Sequence, residues 1–149
     1  MLIRDARRAD VPAIVALYAD DVRGRGRETP SDTLPDVYWA AFDALAADPG
    51  QTLLVGEVDG RVVATLQLTL TPGLSHRGAT RATVEAVRVA SALRGGGLGG
   101  ALMRHAVGLA RAKGARTMQL TSNAARADAH RFYVRLGFAQ SHAGFKLEL

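Results

Sequence analysis

At 149 residues the chain suits one domain, residues 1–149, burying roughly two-thirds of its unfolded surface, and no second domain is expected. The absence of cysteine excludes disulfides, a thiolate nucleophile and cysteine-ligated metal, and His76, His105, His130 and His142 are too scattered for a metal site, so no metal is expected. The net charge of +5 is uneven: residues 86–126 contain no Asp or Glu but carry Arg88, Arg94, Arg104, Arg111, Lys113, Arg116 and Arg126, while the rest of the chain is slightly acidic.

The opening MLIRDARRAD is too polar for a signal peptide, and no apolar run approaches the roughly 20 residues needed to span a bilayer. A cytoplasmic protein without membrane association is expected. A short strand begins at residues 2–4. Asp10 then caps a helix whose apolar positions Val11, Ile14, Val15 and Tyr18 recur at helical spacing. The segment DDVRGRGRETPSDT reads as a loop or broken helix. Pro35 opens a second helix through Tyr38, Trp39, Phe42 and Leu45, which Asp48-Pro49-Gly50 stops.

QTLLVGEV and RVVATLQLTLT flank Asp59-Gly60, a strong hairpin signal, and Leu66, Leu68 and Leu70 alternate with polar residues, so one face is core. After PGLSHRG, the run ATRATVEAVRVA extends the antiparallel meander. A glycine-rich loop, a helix through Leu98, Leu102, Ala106 and Leu109, a C-cap at Gly114 and the strand RTMQLT then form a βαβ unit, which requires parallel strands. A further helix, ADAHRFYVRL, stops at Gly137, and two short strands are expected after it, around Phe138 and in GFKLEL. The fold class is α/β (α+β): a mixed sheet, antiparallel at first and parallel later, flanked by about four helices.

RGGGLGG, residues 94–100, holds five glycines between a strand and a helix. Without Cβ atoms such a loop turns tightly and brings its N–H groups close to a guest. At a helix N-terminus those donors lack partners and the dipole favours an anion, so a phosphate is expected. Gly95, Gly97 and Gly100 satisfy G-x-G-x-x-G, but a dinucleotide fold opens on this loop and places an acid about 20 residues later, neither of which holds here. No G-K-[ST] follows, and the G-L-S-H-R of residues 73–77 lacks the strand-to-helix setting of a nucleophile elbow. Aromatics are only 5% of the chain and the basic residues do not line one groove, so a compact polyanion is expected in preference to nucleic acid.

Arg94-x-x-Gly97-x-Gly99 after a strand, joined to Ala129-x-x-Phe132-Tyr133-x-x-x-Gly137-Phe138, resembles the GNAT (GCN5-related) N-acetyltransferase superfamily over nearly the whole chain. The resemblance implies acetyl-CoA as cosubstrate, its diphosphate held by the amides of Gly95, Gly96, Gly97, Leu98, Gly99 and Gly100 with Arg94 beside them. It implies pairing of the strand backbone at Val87 and Val89 with the pantetheine arm, and a sheet that splays between TVEAVRV and RTMQLT to admit the thioester.

Acetyl transfer to an amine requires a base, because an amine of pKa about 10.4 is almost wholly protonated at pH 7, and an acid for the departing thiolate. By resemblance Tyr133 is the acid; alternatively it is core, since Ala129, Phe132, Tyr133 and Leu136 share one helical face. A strand N–H near Val87 is the candidate donor to the developing oxyanion. Glu85, the only carboxylate on the central strand, is the candidate base; alternatively it holds substrate or pairs with an arginine such as Arg88. Without a bulge it faces the same way as Val87 and Val89. Relatives carry an asparagine where this chain has Arg126. Asn123 either contacts pantetheine or caps the last helix, and Arg126 either meets cofactor phosphate or is solvated. The expected reaction is N-acetylation of a primary amine, a small molecule in preference to a protein amine, with a non-catalytic acyl-CoA-binding module as the other class. Acceptor choice is expected to lie in residues 20–36, and a terminal strand such as GFKLEL offers an edge for a homodimer.

Overall fold

The computed structural model describes residues 1–21, 26, 28, 30, 31 and 33–149. Five strands form one sheet in the order β1 (Leu2–Asp5), β2 (Gln51–Val58), β3 (Arg61–Thr71), β4 (Thr80–Val89) and β5 (Ala115–Leu120). The first three pairings are antiparallel and β4–β5 is parallel. This is the mixed sheet expected from the hairpin and βαβ signals. The β2–β3 turn places Asp59 and Gly60 at φ of 49° and 74°, both left-handed, as a two-residue hairpin of matching twist requires.

Helices α1 (Val11–Ala19), α2 (Asp36–Ala47), α4 (Leu98–Ala112) and α5 (Ala127–Arg135) surround the sheet, and α3 (Ser75–Gly78) is a single turn in which His76 and Arg77 are left-handed. In α1 the residues Val11, Ile14, Val15 and Leu17 are buried. Asp10 precedes it, yet its carboxylate bonds no amide of α1. It accepts from the Arg7 amide at 2.7 Å and from both terminal nitrogens of Arg4, whose Nε reaches Glu57. That pair ties β1 and β2 to the start of α1.

The core is the alternation of β3 made three-dimensional. Leu66, Leu68 and Ala64 meet Ala82 and Val84 of β4 and Leu102, Met103 and Ala106 of α4, all almost fully buried. The other face of β3 turns Thr65 inward, where its hydroxyl donates to the Leu54 carbonyl at 2.9 Å. The two strands expected around Phe138 and in GFKLEL are absent: residues 138–149 form no strand. Phe138 is held in the core cluster instead, next to Tyr133. Phe145, Leu147 and Leu149 project into solvent. A strand exists only through a partner's backbone, and β5 gives none to this segment. The expected acceptor-selecting residues Arg23, Arg25, Arg27 and Asp32 lie outside the described residues.

Candidate active site

The pairing of β4 with β5 ends at Val84 and Leu120, while β4 runs five residues further, so the sheet opens along residues 85–89. In that stretch the β3–β4 register also breaks. Gln67 faces Glu85 and Thr65 faces Arg88, which leaves Ala86 and Val87 against Leu66 alone. This is a bulge, and Ala86 takes a left-handed φ of 52° to make it. Alternation is thereby reset: Glu85 and Arg88 share the face of Gln67 and Thr65, whereas Val87 and Val89 pack against the core cluster. Glu85 therefore does not face with Val87 and Val89, because one extra residue intervenes.

Beyond β4, a turn at Ser91–Leu93 leads into the glycine loop. Gly95 and Gly97 adopt φ of 84° and 80°, and Gly97 is the N-cap of α4. Among the described residues the amides of positions 95–100 find no backbone acceptor, and the first loop-to-helix bond is Ala101 N to Gly97 O at 3.0 Å. A helix N-terminus of this kind presents aligned donors to an anion. Gly99 lies where a side chain would touch Phe132 of α5 and Val89 of β4, each 3.5 Å from an added Cβ. The loop is thus seated between the sheet opening and α5.

Arg94 folds back along this loop. Its Nε donates to the Val89 carbonyl at 3.1 Å and its side chain extends to Asp20 at the end of α1, which also accepts from the Ser91 amide at 2.6 Å. The Val87 carbonyl likewise accepts from Arg88 at 2.8 Å. Both carbonyls expected to pair with a pantetheine arm already hold one arginine bond, and each keeps a second lone pair. Arg88 forms its ion pair with Asp21 at 3.3 Å, where both side chains are mostly buried, not with Glu85. Sequence reading missed Asp20 and Asp21 as members of this neighbourhood; no local signal joins the end of α1 to a loop some 70 residues later.

Helix α5 brings the remaining candidates. The Asn123 side chain accepts from the Ala125 amide at 3.0 Å and its carbonyl from Arg126 N and His130 Nε2, so Asn123 builds the turn that enters α5. Its carboxamide is engaged locally, in an Asx-type turn. Tyr133 is half-buried between Phe132 and Phe138, with ring centroids 5.1 and 6.0 Å away in edge-to-face geometry. Burial pushes its phenol above the usual value near 10, and the charges of Arg126 and Arg88 pull the other way. Both arginines therefore act on the Tyr133 hydroxyl.

A cleft of about 420 Å³ lies at this junction, lined by Val87, Val89, Arg88, Arg94, Asp21 and residues 125–129, which lead into and begin α5 and include Arg126. The structure brings together Val87, Val89, Arg94 and Arg126 in that cleft, and Gly99 at the start of α4 lies beside Val89 and Phe132. Tyr133, Glu85, Asn123 and the glycines of the loop are not among its lining residues. Unpaired loop amides, a helix N-terminus and two arginines form a donor set suited to a diphosphate, and the open strands beside it admit an extended arm.

Comparison with known proteins identifies the family. The model of the acetyltransferase (GNAT) family, whose members use acetyl-CoA as cosubstrate, matches residues 12–138. An aminoalkylphosphonate N-acetyltransferase of Salmonella typhimurium is 36% identical over 111 residues, spanning 72% of this chain and 71% of that protein. Among solved structures, a Bacillus halodurans protein described as a transcriptional regulator is 41% identical with a TM-score of 0.96, each chain 99% covered. A Trypanosoma brucei acetyltransferase is 25% identical with a TM-score of 0.80, again over 99% of both chains. With the family model spanning most of its length, the chain belongs to the GNAT acetyltransferase family and is an acyltransferase.

Proposed function

We propose that the protein, a single catalytic domain, transfers the acetyl group of acetyl-CoA to the primary amine of a small molecule by direct attack within a ternary complex. The observation that carries the reading is the meeting of Arg94, Arg126 and the open edge of β4 in one cleft, with the amides of residues 95–100, which find no backbone acceptor among the described residues, following Arg94 in the chain. Acetyl-CoA supplies the activated acyl group; this chain's residues do the rest. The amides of Gly95, Gly96, Gly97, Leu98, Gly99 and Gly100 hold diphosphate oxygens, with Arg94 and Arg126 adding charge. Val87 and Val89 line the channel and lend main-chain groups to the arm. The bulge leaves Ala86 and Val87 outside the regular ladder, and the Val87 N–H serves as the donor to the acyl oxygen.

Tyr133 holds the proton the departing thiolate needs, and its burial keeps the phenol neutral. Glu85, itself exposed and opposite Gln67 of β3, takes the proton of the acceptor amine, directly or through a water. The 36% identical relative, an aminoalkylphosphonate N-acetyltransferase, supports a small acceptor. Calorimetry with acetyl-CoA, NAD and ATP, followed by thiol release with small amines including an aminoalkylphosphonate and with a lysine peptide, tests the reading. Heat from acetyl-CoA alone and release with small amines are expected. No heat from acetyl-CoA refutes the cofactor assignment, and release with the peptide alone refutes the small acceptor. The name of the Bacillus halodurans relative prompts a DNA titration in parallel, in which steeply salt-dependent binding abolished by acetyl-CoA marks a regulatory use of the same basic half.

A further inference from the structure

The first turn of α4 holds two glycines, Gly99 and Gly100, in a setting where glycine is a poorer helix former than alanine. Each therefore needs a cause. Gly99 has one in its closeness to Val89 and Phe132. At Gly100 an added Cβ would stand 3.2 Å from Nη1 of Arg104 and 3.9 Å from its Cζ and Nη2. The guanidinium occupies the place of the missing side chain, and Gly100 is buried while Arg104 itself is exposed. Helical side chains lean toward the N-terminus and cover the residue four positions earlier, which is how Arg104 comes to lie on Gly100.

A cation is favoured at a helix C-terminus and disfavoured at the N-terminus, where the amides already present positive charge. Arg104 nevertheless sets its guanidinium against the turn that carries the loop amides, which find no backbone acceptor among the described residues. No described residue bonds or pairs with Arg104, and residues 86–126 contain no acid to balance it. An anion makes both positive features favourable at once. Gly100 also lies about 100° round the helix from Gly99, so Arg104 stands clear of the side where the loop meets β4 and α5.

The family's cosubstrate carries two anionic groups, a diphosphate and a phosphomonoester on the ribose 3′ oxygen, the latter with a charge of about −1.5 to −2 at pH 7. On the reading above, the diphosphate has the six loop amides with Arg94 and Arg126, which leaves the monoester without a partner. We infer that Arg104 selects the cofactor by its nucleotide end: the guanidinium seated on Gly100 receives the 3′-phosphate of coenzyme A, and the protein discriminates against acyl carriers that lack it. The inference rests on the loop as the diphosphate cradle. A planar guanidinium fork suits a phosphate, and an exposed pair of this kind is screened by salt.

Calorimetry with acetyl-CoA and with its 3′-dephospho form tests this on the full chain, on Arg104→Met and Arg104→Gln, which remove the charge, and on Arg104→Lys, with circular dichroism reporting the fold. At about 0.1 M salt the unaltered chain should bind acetyl-CoA about tenfold more tightly than the dephospho form, and the preference should shrink at about 0.5 M. In both uncharged variants the two carriers should bind alike, with dephospho affinity within about twofold of the unaltered chain, and the lysine variant should keep part of the preference. Equal affinities in the unaltered chain overturn the role of Arg104 and leave the cradle standing, as does a preference that survives in the uncharged variants. No heat from either carrier overturns the cradle, and this inference with it.

Discussion

Replacing Tyr133 by Phe separates chemistry from packing. The ring keeps its edge-to-face contacts with Phe132 at 5.1 Å and Phe138 at 6.0 Å, each worth about 0.5–1.5 kcal/mol beyond area burial. The hydroxyl forms no hydrogen bond with another described residue, so none is lost, and the thermal midpoint should move by only about 2 °C or less. A general acid contributes about 10²–10⁴-fold, so turnover should fall by that factor, roughly 3–5 kcal/mol of barrier, while the calorimetric Kd for acetyl-CoA stays within about twofold. The pH profile adds a sign. Because burial raises the phenol, the neutral donor persists above the ordinary value of 10, and the wild-type rate should show no alkaline loss from this group below about pH 10. Turnover within about threefold of wild type refutes the assignment, and a large loss of acetyl-CoA affinity or stability shows that the side chain acts by packing.

Glu85→Gln should depress the rate most at low pH, where neutral amine is scarcest; a small, pH-independent effect in thiol-release assays shows that the carboxylate is not the base. Ala86 holds a left-handed backbone that costs a residue with a Cβ about 1–2 kcal/mol, so Ala86→Gly should stabilise slightly and Ala86→Val should lower the melting midpoint by several degrees and cut turnover; a neutral Val variant contradicts a bulge at this position. Gly97→Ala places a Cβ at φ of 80° in the α4 N-cap and should cost about 1 kcal/mol in melting experiments while weakening acetyl-CoA binding, with unchanged affinity arguing against the loop as the diphosphate cradle. The Arg4 guanidinium, with help from the Arg7 amide, holds the Asp10 carboxyl below its ordinary 3.8. Its stabilisation is therefore present above that value and lost as pH falls through the lower folded value. Arg4→Met should cost about 3 kcal/mol, on the order of 9 °C in Tm at pH 7, and flatten the acid decline; an unchanged acid limb removes Asp10 as its source.

The order of elements was legible because each carries its own local signal. Asp59-Gly60 demands a left-handed two-residue turn wherever it stands, the alternation of Leu66 and Leu68 marks a one-sided strand, and the glycines at 95 and 97 announce a backbone that residues with a Cβ avoid. The loop's free amides follow from the same local chemistry, since helix-start donors lack acceptors in any context. The terminal strands were misread for the complementary reason: GFKLEL has the pattern of a strand, but pattern supplies no partner, and the sheet order ends at β5.

Sequence by itself thus determined what depends on neighbours in the chain: the elements up to α5, the glycine-rich helix start and the basic stretch around it. Tertiary structure alone decided what depends on register and distance. An alanine at position 86 gives no hint of a bulge, yet that one extra residue turns Glu85 away from Val87 and Val89. Asp20 and Asp21 look like part of a polar loop, yet the fold lays them against Arg94 and Arg88. Facing and pairing are properties of strands held side by side, and a one-residue shift reverses them while leaving the amino-acid pattern untouched.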